Sequence, residues 1–289
     1  MHNKKARVIA FYLPQYHPIK ENDKFWGKGF TEWTNVGKSV PLFKGHYQPR
    51  VPADLGYYDL RMPEVREEQA QLAKEAGIEG FCYWHYWFGN GKELLERPFN
   101  EVVDSGKPDF PFCLGWANHT WSTRTWTSSK SQYKETLIAE QTYPGDEDYT
   151  LHFHKYLKAF KDPRYIKVDG KLLFVVFAPL MIPNFKHFKT VWNELAQKEG
   201  LKGFHFVGLT ENFKLQMNNG KINNIFKDEG VARDLYNSVL EAGFDAVNSR
   251  GGNRAQVYAN SALSYYLKRF IMKKLHIDIC LLYTSPSPR

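Results

Sequence analysis

Short apolar runs alternate along most of the chain with longer stretches whose apolar positions recur every three or four residues. These are the two periods of buried strands and amphipathic helices. Residues 8–13 read as a first strand. Residues 63–76 read as a helix: Pro63 suits a first turn, Val65, Leu72, Ala73 and Ala76 share one side, and Gly77 supplies the stop. The same reading predicts strands over 78–86, 111–117, 171–177, 204–209 and 244–247, and helices over 92–103, 147–160, 188–199 and 231–242.

Strands that are apolar on both faces and joined by helix-length crossovers imply a parallel sheet covered by helices. Six strands are separated by five helices, and no Gly-x-Gly-x-x-Gly follows any strand, which favours a (β/α) barrel over a doubly wound dinucleotide fold. The expected fold class is α/β, an incomplete (β/α)8 TIM-like barrel with about six strands present and the last two missing. After a basic amphipathic stretch over 263–279, the chain ends without strand pattern or helix stop. Residues 1–279 are therefore expected to form the partial barrel domain and 280–289 a non-native or disordered tail.

Composition changes this picture little: of 289 residues, 43% are hydrophobic and 16% aromatic, enough for a core and unlike disordered, collagen or coiled-coil chains. The longest apolar stretch, 172–183, falls short of the roughly 20 residues of a spanning helix, so no integral membrane segment is expected. Residues 8–12 are too short for a signal-peptide core, and Cys82, Cys113 and Cys280 lack metal-like spacing, which together suggest a reduced, cytoplasmic chain. Half of the net charge of +8 sits in the segment after Ser261, and with no recognition helix or zinc finger no nucleic-acid partner is expected. Oligomeric state is not legible.

Candidate chemistry lies where such a barrel works, at the carboxyl ends of its strands. Tyr12, Gln15, Tyr16 and His17 follow the first strand; Trp84, His85, Tyr86 and Trp87 end the second; Trp116, Asn118, His119 and Trp121 end the third. Trp26 and Trp33 stand in an unusually long first loop, whose length marks it as functional or disordered and whose aromatic content argues against disorder. Aromatic planes cover the C–H face of a pyranose while amides and imidazoles meet its hydroxyls, so these residues are candidates for binding a saccharide. Any one tryptophan serves equally well as a core aromatic facing the helices.

Two carboxylates are candidates for catalysis. Glu211 follows the fifth strand, as catalyst or as a loop carboxylate with a local hydrogen bond. Glu32 either meets substrate hydroxyls or caps backbone N–H groups. Asp245, Asn248 and Arg250 are weaker candidates, and Glu64 with Glu67 and Glu93 with Glu96 read as solvated helix charges. His152 and His154, two apart on a presumed helix, cannot share a face, and no zinc motif or phosphate loop occurs; no metal or cofactor is predicted, with dependence on a divalent metal left open.

Four strings carry a family resemblance: residues 11–18 (FYLPQYHP), 26–33 (WGKGFTEW), 80–88 (GFCYWHYWF) and 116–121 (WANHTW). Together they resemble the WbsX-type glycosyltransferase family, also described as glycoside-hydrolase-family-99-like. The resemblance runs to about Ile279 and implies a (β/α)8 barrel acting on a glycan or activated sugar in bacterial surface polysaccharide (O-antigen-like) biosynthesis. It also implies an Asn-x-Trp-Asn-Glu-Trp-x-Glu-Gly segment near the last strands, whose glutamates resemble the carboxylate pair of related endo-acting mannosidases. No such segment occurs, so the main pair is expected beyond Arg289, leaving Glu211 and Glu32 in this chain. The alternatives are an endo-acting α-mannosidase-type hydrolase and a non-catalytic glycan-binding module.

Overall fold

A computed structural model describes residues 6–122, 136–210 and 229–248. In chain order these form β1 (Ile9–Tyr12), α1 (Lys20–Trp26), α2 (Glu32–Gly37), α3 (Pro63–Glu75), β2 (Gly80–Trp87), β3 (Glu93–Leu94) and α4 (Arg97–Ser105). There follow β4 (Phe112–Trp116), β5 (Trp121–Ser122), β6 (Leu137–Ala139), α5 (Asp146–Lys161), β7 (Lys167–Val168) and β8 (Lys171–Val176). The last described elements are α6 (Phe185–Lys198), β9 (Phe204–Leu209), α7 (Glu229–Glu241) and β10 (Ala246–Asn248).

The main sheet runs β1-β2-β4-β8-β9-β10, and every one of these neighbours is parallel. A helix lies in each crossover, α3 through α7 in turn, and the sheet curls into half a barrel. The six strands expected from the hydrophobic pattern are these six, in chain order.

Strand alternation divides each strand between two layers. On β2, Tyr83 lies 5.2 Å from the Phe99 ring of α4 and His85 lies 4.8 Å from Tyr156 of α5, so this parity faces the helices. Trp84 has the other parity and stacks on Phe11 of β1 at 4.8 Å, inside the curl. Gly115 makes room for that indole, because a Cβ there would stand 3.0 Å from its ring carbons.

The core lies between sheet and helices. Phe112, Phe153, Phe160, Phe174, Phe188, Trp192 and Phe206 have no exposed surface. Trp192 of α6 is central: its ring meets Phe174 edge-on at 4.9 Å, and its indole N–H donates to the Tyr149 carbonyl at 3.0 Å. α5 carries Asp146, Glu147 and Asp148 in its first turn and Lys158 and Lys161 in its last, which suits the helix dipole.

Several sequence expectations are corrected. Residues 92–103 are not one helix: Glu93 and Leu94 pair antiparallel with Trp87 and Tyr86, and the helix starts at Arg97, with Pro98 in its first turn. Glu93 is thereby drawn inward, 10% exposed and 3.0 Å from the Lys155 ammonium, rather than solvated on a helix. Ala73 is buried as expected, but Leu72 and Ala76 are exposed, and α3 buries Arg66 and Ala70 in their place. β7 and β8 form an unforeseen hairpin whose turn residues, Asp169 and Gly170, both have positive φ, the conformation favoured by an Asp-Gly pair. The first loop is also less irregular than expected, since α1 and α2 lie within it.

Candidate functional site

The first βα loop, β6 and the segment that follows β4 converge on a cleft at the carboxyl edge of the half-barrel, with Tyr86 of β2 behind it. It holds about 430 Å³ of empty space, mouth included, and is lined by Gln15, Asn22, Phe30, His119, Trp121 and Ser122 among others. The Gln15 amide donates to the Tyr86 hydroxyl at 2.9 Å, and the Tyr86 ring meets Trp121 edge-on at 4.8 Å. His119 packs 4.9 Å from Phe177, which abuts Trp84 edge-on at 5.7 Å. An aromatic path thus runs from Phe11 through Trp84 and Phe177 to His119 and the cleft. Burial lowers the His119 pKa, and its Nδ1 is buried without a protein hydrogen bond among the described residues. The ring lines the cleft as a neutral imidazole, with this nitrogen turned inward.

Glu32 opens α2 beside this wall. The N-cap is Thr31, whose hydroxyl accepts from the Trp33 amide, with Thr34 reciprocating, so Glu32 is not the cap. Among the described residues its carboxyl shows neither hydrogen bond nor ion pair. Burial alone raises its pKa to about 7; burial likewise pushes the Tyr16 and Tyr86 phenols up, and the Glu32 charge adds to both in the same direction. Tyr16 packs 4.7 Å from Trp33, whose indole N–H donates to the Tyr58 carbonyl at 2.8 Å. Trp26 stands behind the cleft and stacks on Phe30 at 5.1 Å.

Six of the proposed sugar-binding residues are turned elsewhere, because alternation or local packing sends them inward. Tyr12 faces α3 and donates to Gln69 at 2.6 Å. His17 is buried near Asp59 and Arg61. His85, Trp87 and Trp116 lie under α5 and α6: Trp87 donates to Asp148 at 3.1 Å, Trp116 donates to the Trp87 carbonyl at 2.9 Å, and the His85 and His152 Nε2 atoms approach to 2.9 Å. Burial lowers the His85 pKa to about 3 and that of His152 well below its ordinary value, so both are neutral and one proton lies between them. Asn118 is a strap rather than a sugar ligand: its amide donates to Tyr143 and to the Ala178 carbonyl, each at 2.9 Å, and its oxygen accepts from the Ala178 N–H at 2.8 Å.

Comparison with known proteins now adds to this geometry. The family profile described as Glycosyltransferase WbsX matches residues 8–275. The chain belongs to the WbsX glycosyltransferase family. Two curated relatives, each named uncharacterized protein WxcX, come from Xanthomonas campestris pv. campestris strains B100 and ATCC 33913; both are 42% identical over 204 residues. Those alignments cover 70% of this chain and 28% of either relative, so the chain spans little over a quarter of the proteins it matches. Among solved structures, the GH99 endo-alpha-mannosidase from Bacteroides thetaiotaomicron in complex with BIS-TRIS-propane is similar at a TM-score of 0.46 and 13% identity, covering 84% of this chain and 58% of that one. A glycoside hydrolase-like protein gives a TM-score of 0.40 at 15% identity, covering 72% and 52%.

In this WbsX family member the remaining sequence candidates separate cleanly. Glu211 and Arg250 lie outside the described residues. Asp245 stands at the amino end of β10, away from the mouth, paired with Lys189 at 2.6 Å and accepting from the Phe206 N–H at 2.9 Å, and is structural. The Asn248 carbonyl accepts from the Thr210 hydroxyl at the mouth end. Sequence reasoning missed Asn22, Phe30, Ser122 and Phe177. For Phe177 the signal was available, since it shares inward parity with Leu173 and Val175.

Proposed function

We propose that this chain supplies the saccharide cleft of a WbsX-type glycosyltransferase that assembles bacterial cell-surface polysaccharide, and that Gln15, His119 and Trp121 hold a sugar, with the buried Tyr86 positioning Gln15, while Glu32 handles a proton. The observation that carries this reading is a desolvated carboxyl, without a hydrogen-bond partner among the described residues and within electrostatic reach of Tyr16 and Tyr86, beside an aromatic and amide-lined cleft at the carboxyl edge of a parallel half-barrel. Trp121 offers an apolar face, Gln15 and His119 offer polar atoms to hydroxyls, and a carboxyl poised near neutrality suits proton transfer to or from a glycosidic or acceptor oxygen. Glycosyl transfer generally recruits a second carboxylate; Glu211, two positions beyond the end of β9, is the candidate this chain offers. The chain is proposed to act in the cytoplasm, where activated sugars are made; no helix among the described residues is long and apolar enough to cross a membrane.

The test is an assay of the protein against a panel of radiolabelled nucleotide sugars and polysaccharide intermediates extracted from bacterial membranes. Transfer that falls at least tenfold in Glu32→Gln and in Trp121→Ala supports the proposal. Release of oligosaccharide from α-mannan instead of transfer would replace it with the hydrolase reading, and saturable glycan binding without turnover would make the chain a binding module.

A further inference from the structure

We propose that the segment between α2 and α3 is a docking strap for an anionic phospholipid surface, set beside the mouth of the half-barrel. Val40, Tyr47 and Val51 are 65%, 63% and 63% exposed, and Leu42 and Phe43 are exposed with them. Residues 33–53 contain no acid, while Lys38, Lys44 and Arg50 are all exposed cations. Apolar side chains interleaved with cations of a single sign match a bilayer interface, where rings and aliphatic groups enter the headgroup boundary and ammonium groups meet lipid phosphates.

The display is built into the fold. The His46 N–H donates to the Phe43 carbonyl at 3.0 Å, the Leu42 N–H donates to His46 Nδ1 at 3.2 Å, and the Phe43 and His46 rings stack at 4.7 Å. The Arg50 guanidinium lies 5.9 Å from the Tyr47 ring centre. These contacts hold the turn in shape with its apolar groups outward. Its far end is tied to the cleft wall: Trp33 meets Tyr57 and Tyr58 edge-on at 5.3 and 5.1 Å, and the Leu60 N–H donates to the Tyr16 carbonyl at 3.0 Å. A strap lying on lipid would therefore bring the cleft to the bilayer surface, where a glycan carried on a lipid is presented.

Vesicle co-flotation tests this independently of catalysis, because it reads lipid binding whether or not the mouth transfers sugar. The protein is expected to float with mixed phosphatidylcholine–phosphatidylglycerol vesicles, to stay behind with pure phosphatidylcholine, and to be released by high salt. The triple variant K38E/K44E/R50E is expected to bind about tenfold or more weakly, and Val40→Ser with Phe43→Ser and Tyr47→Ser to lose binding as well. The same charge change at K74E/K198E/K202E, three exposed lysines elsewhere, is expected to leave flotation unchanged. Circular dichroism checks that each variant is folded, and if the apolar variant is not, the charge variant decides. Absence of flotation, equal flotation on neutral vesicles, or undiminished flotation in the charge variant overturns the proposal. So does capture of the strap by an acidic protein or by a second copy of the chain without lipid binding.

Discussion

β2 builds two chemically different regions from one run of aromatics. Tyr83, His85 and Trp87 enter the layer under the helices, where His85 is matched to His152 and Trp87 to Asp148. Trp84 and Tyr86, one residue out of phase, turn to the other side of the sheet, where Tyr86, itself buried, backs the cleft by meeting Gln15 and Trp121, and where Glu32 and the His119 Nδ1 have no hydrogen-bond partner among the described residues. The inner layer is closed to water, although the His85 and His152 Nδ1 atoms and Asp148 Oδ1 are buried there without a hydrogen-bond partner among the described residues, and the mouth is half-open. Residue type is nearly the same in both, so the side of the sheet a ring faces, not tryptophan content, separates the two regions.

The strongest way to break that contrast is to remove a ring from the closed layer. Trp192→Ala or Trp116→Ala is expected to destabilise the fold by about 3–5 kcal/mol, as large core truncations do, read from the urea midpoint. A Trp116 variant that kept its stability and lost only glycan affinity would return that residue to the mouth.

Acid is the next probe. The folded pKa of His85, about 3, lies below the ordinary 6.5, so the unfolded chain binds more protons between those values and stability falls as pH falls through that window. By pH 5 the loss from this one imidazole is about 2 kcal/mol, and His152 acts in the same direction. Denaturation of a His85→Gln/His152→Gln variant across pH is expected to show a flatter slope than the parent; an identical slope would mean the pair is charged in the fold.

At the mouth the effects are on ligand, not fold. Trp121→Ala is expected to weaken glycan binding by about 1–3 kcal/mol, the range of ring stacking on aromatic side chains, with the urea midpoint unmoved. Calorimetry alongside denaturation separates the two. The smallest signal is a single titration: carboxyl NMR should show Glu32 ionising near pH 7, and Glu32→Gln should delete that step. Because its folded pKa is raised, ionisation between the ordinary 4.5 and about 7 opposes folding, and the Gln variant should lack that decline. A Glu32 that titrates at its ordinary value would remove it from the site.

Much of the architecture was legible because burial on two faces leaves a periodic trace, which placed the six parallel strands and their crossovers. The short pairings were not. β3 and β7 are two-residue strands fixed by turns and by partners, and nothing in their own composition separates them from helix or loop. The candidate site was half legible: Gln15, His119 and Trp121 meet at the cleft with Tyr86 behind them, whereas Tyr12, His85, Trp87, Trp116 and Asn118 share the same aromatic runs near strand ends but face inward. Parity along β2 could have divided that run in advance. That His152, 67 positions away, is the partner of His85 could not be seen from local spacing.

The sequence by itself determined the six main strands, a helical crossover between each, the chain-order parallel sheet, and membership of the WbsX family, since these rest on period, crossover length and motif strings. Only the tertiary structure decided which aromatics face the helices and which line the cleft, and that Glu32 is a carboxyl held near neutrality. Those properties depend on what the rest of the chain brings within a few ångströms and how much water it removes, and neither distance nor solvation is written in neighbouring letters.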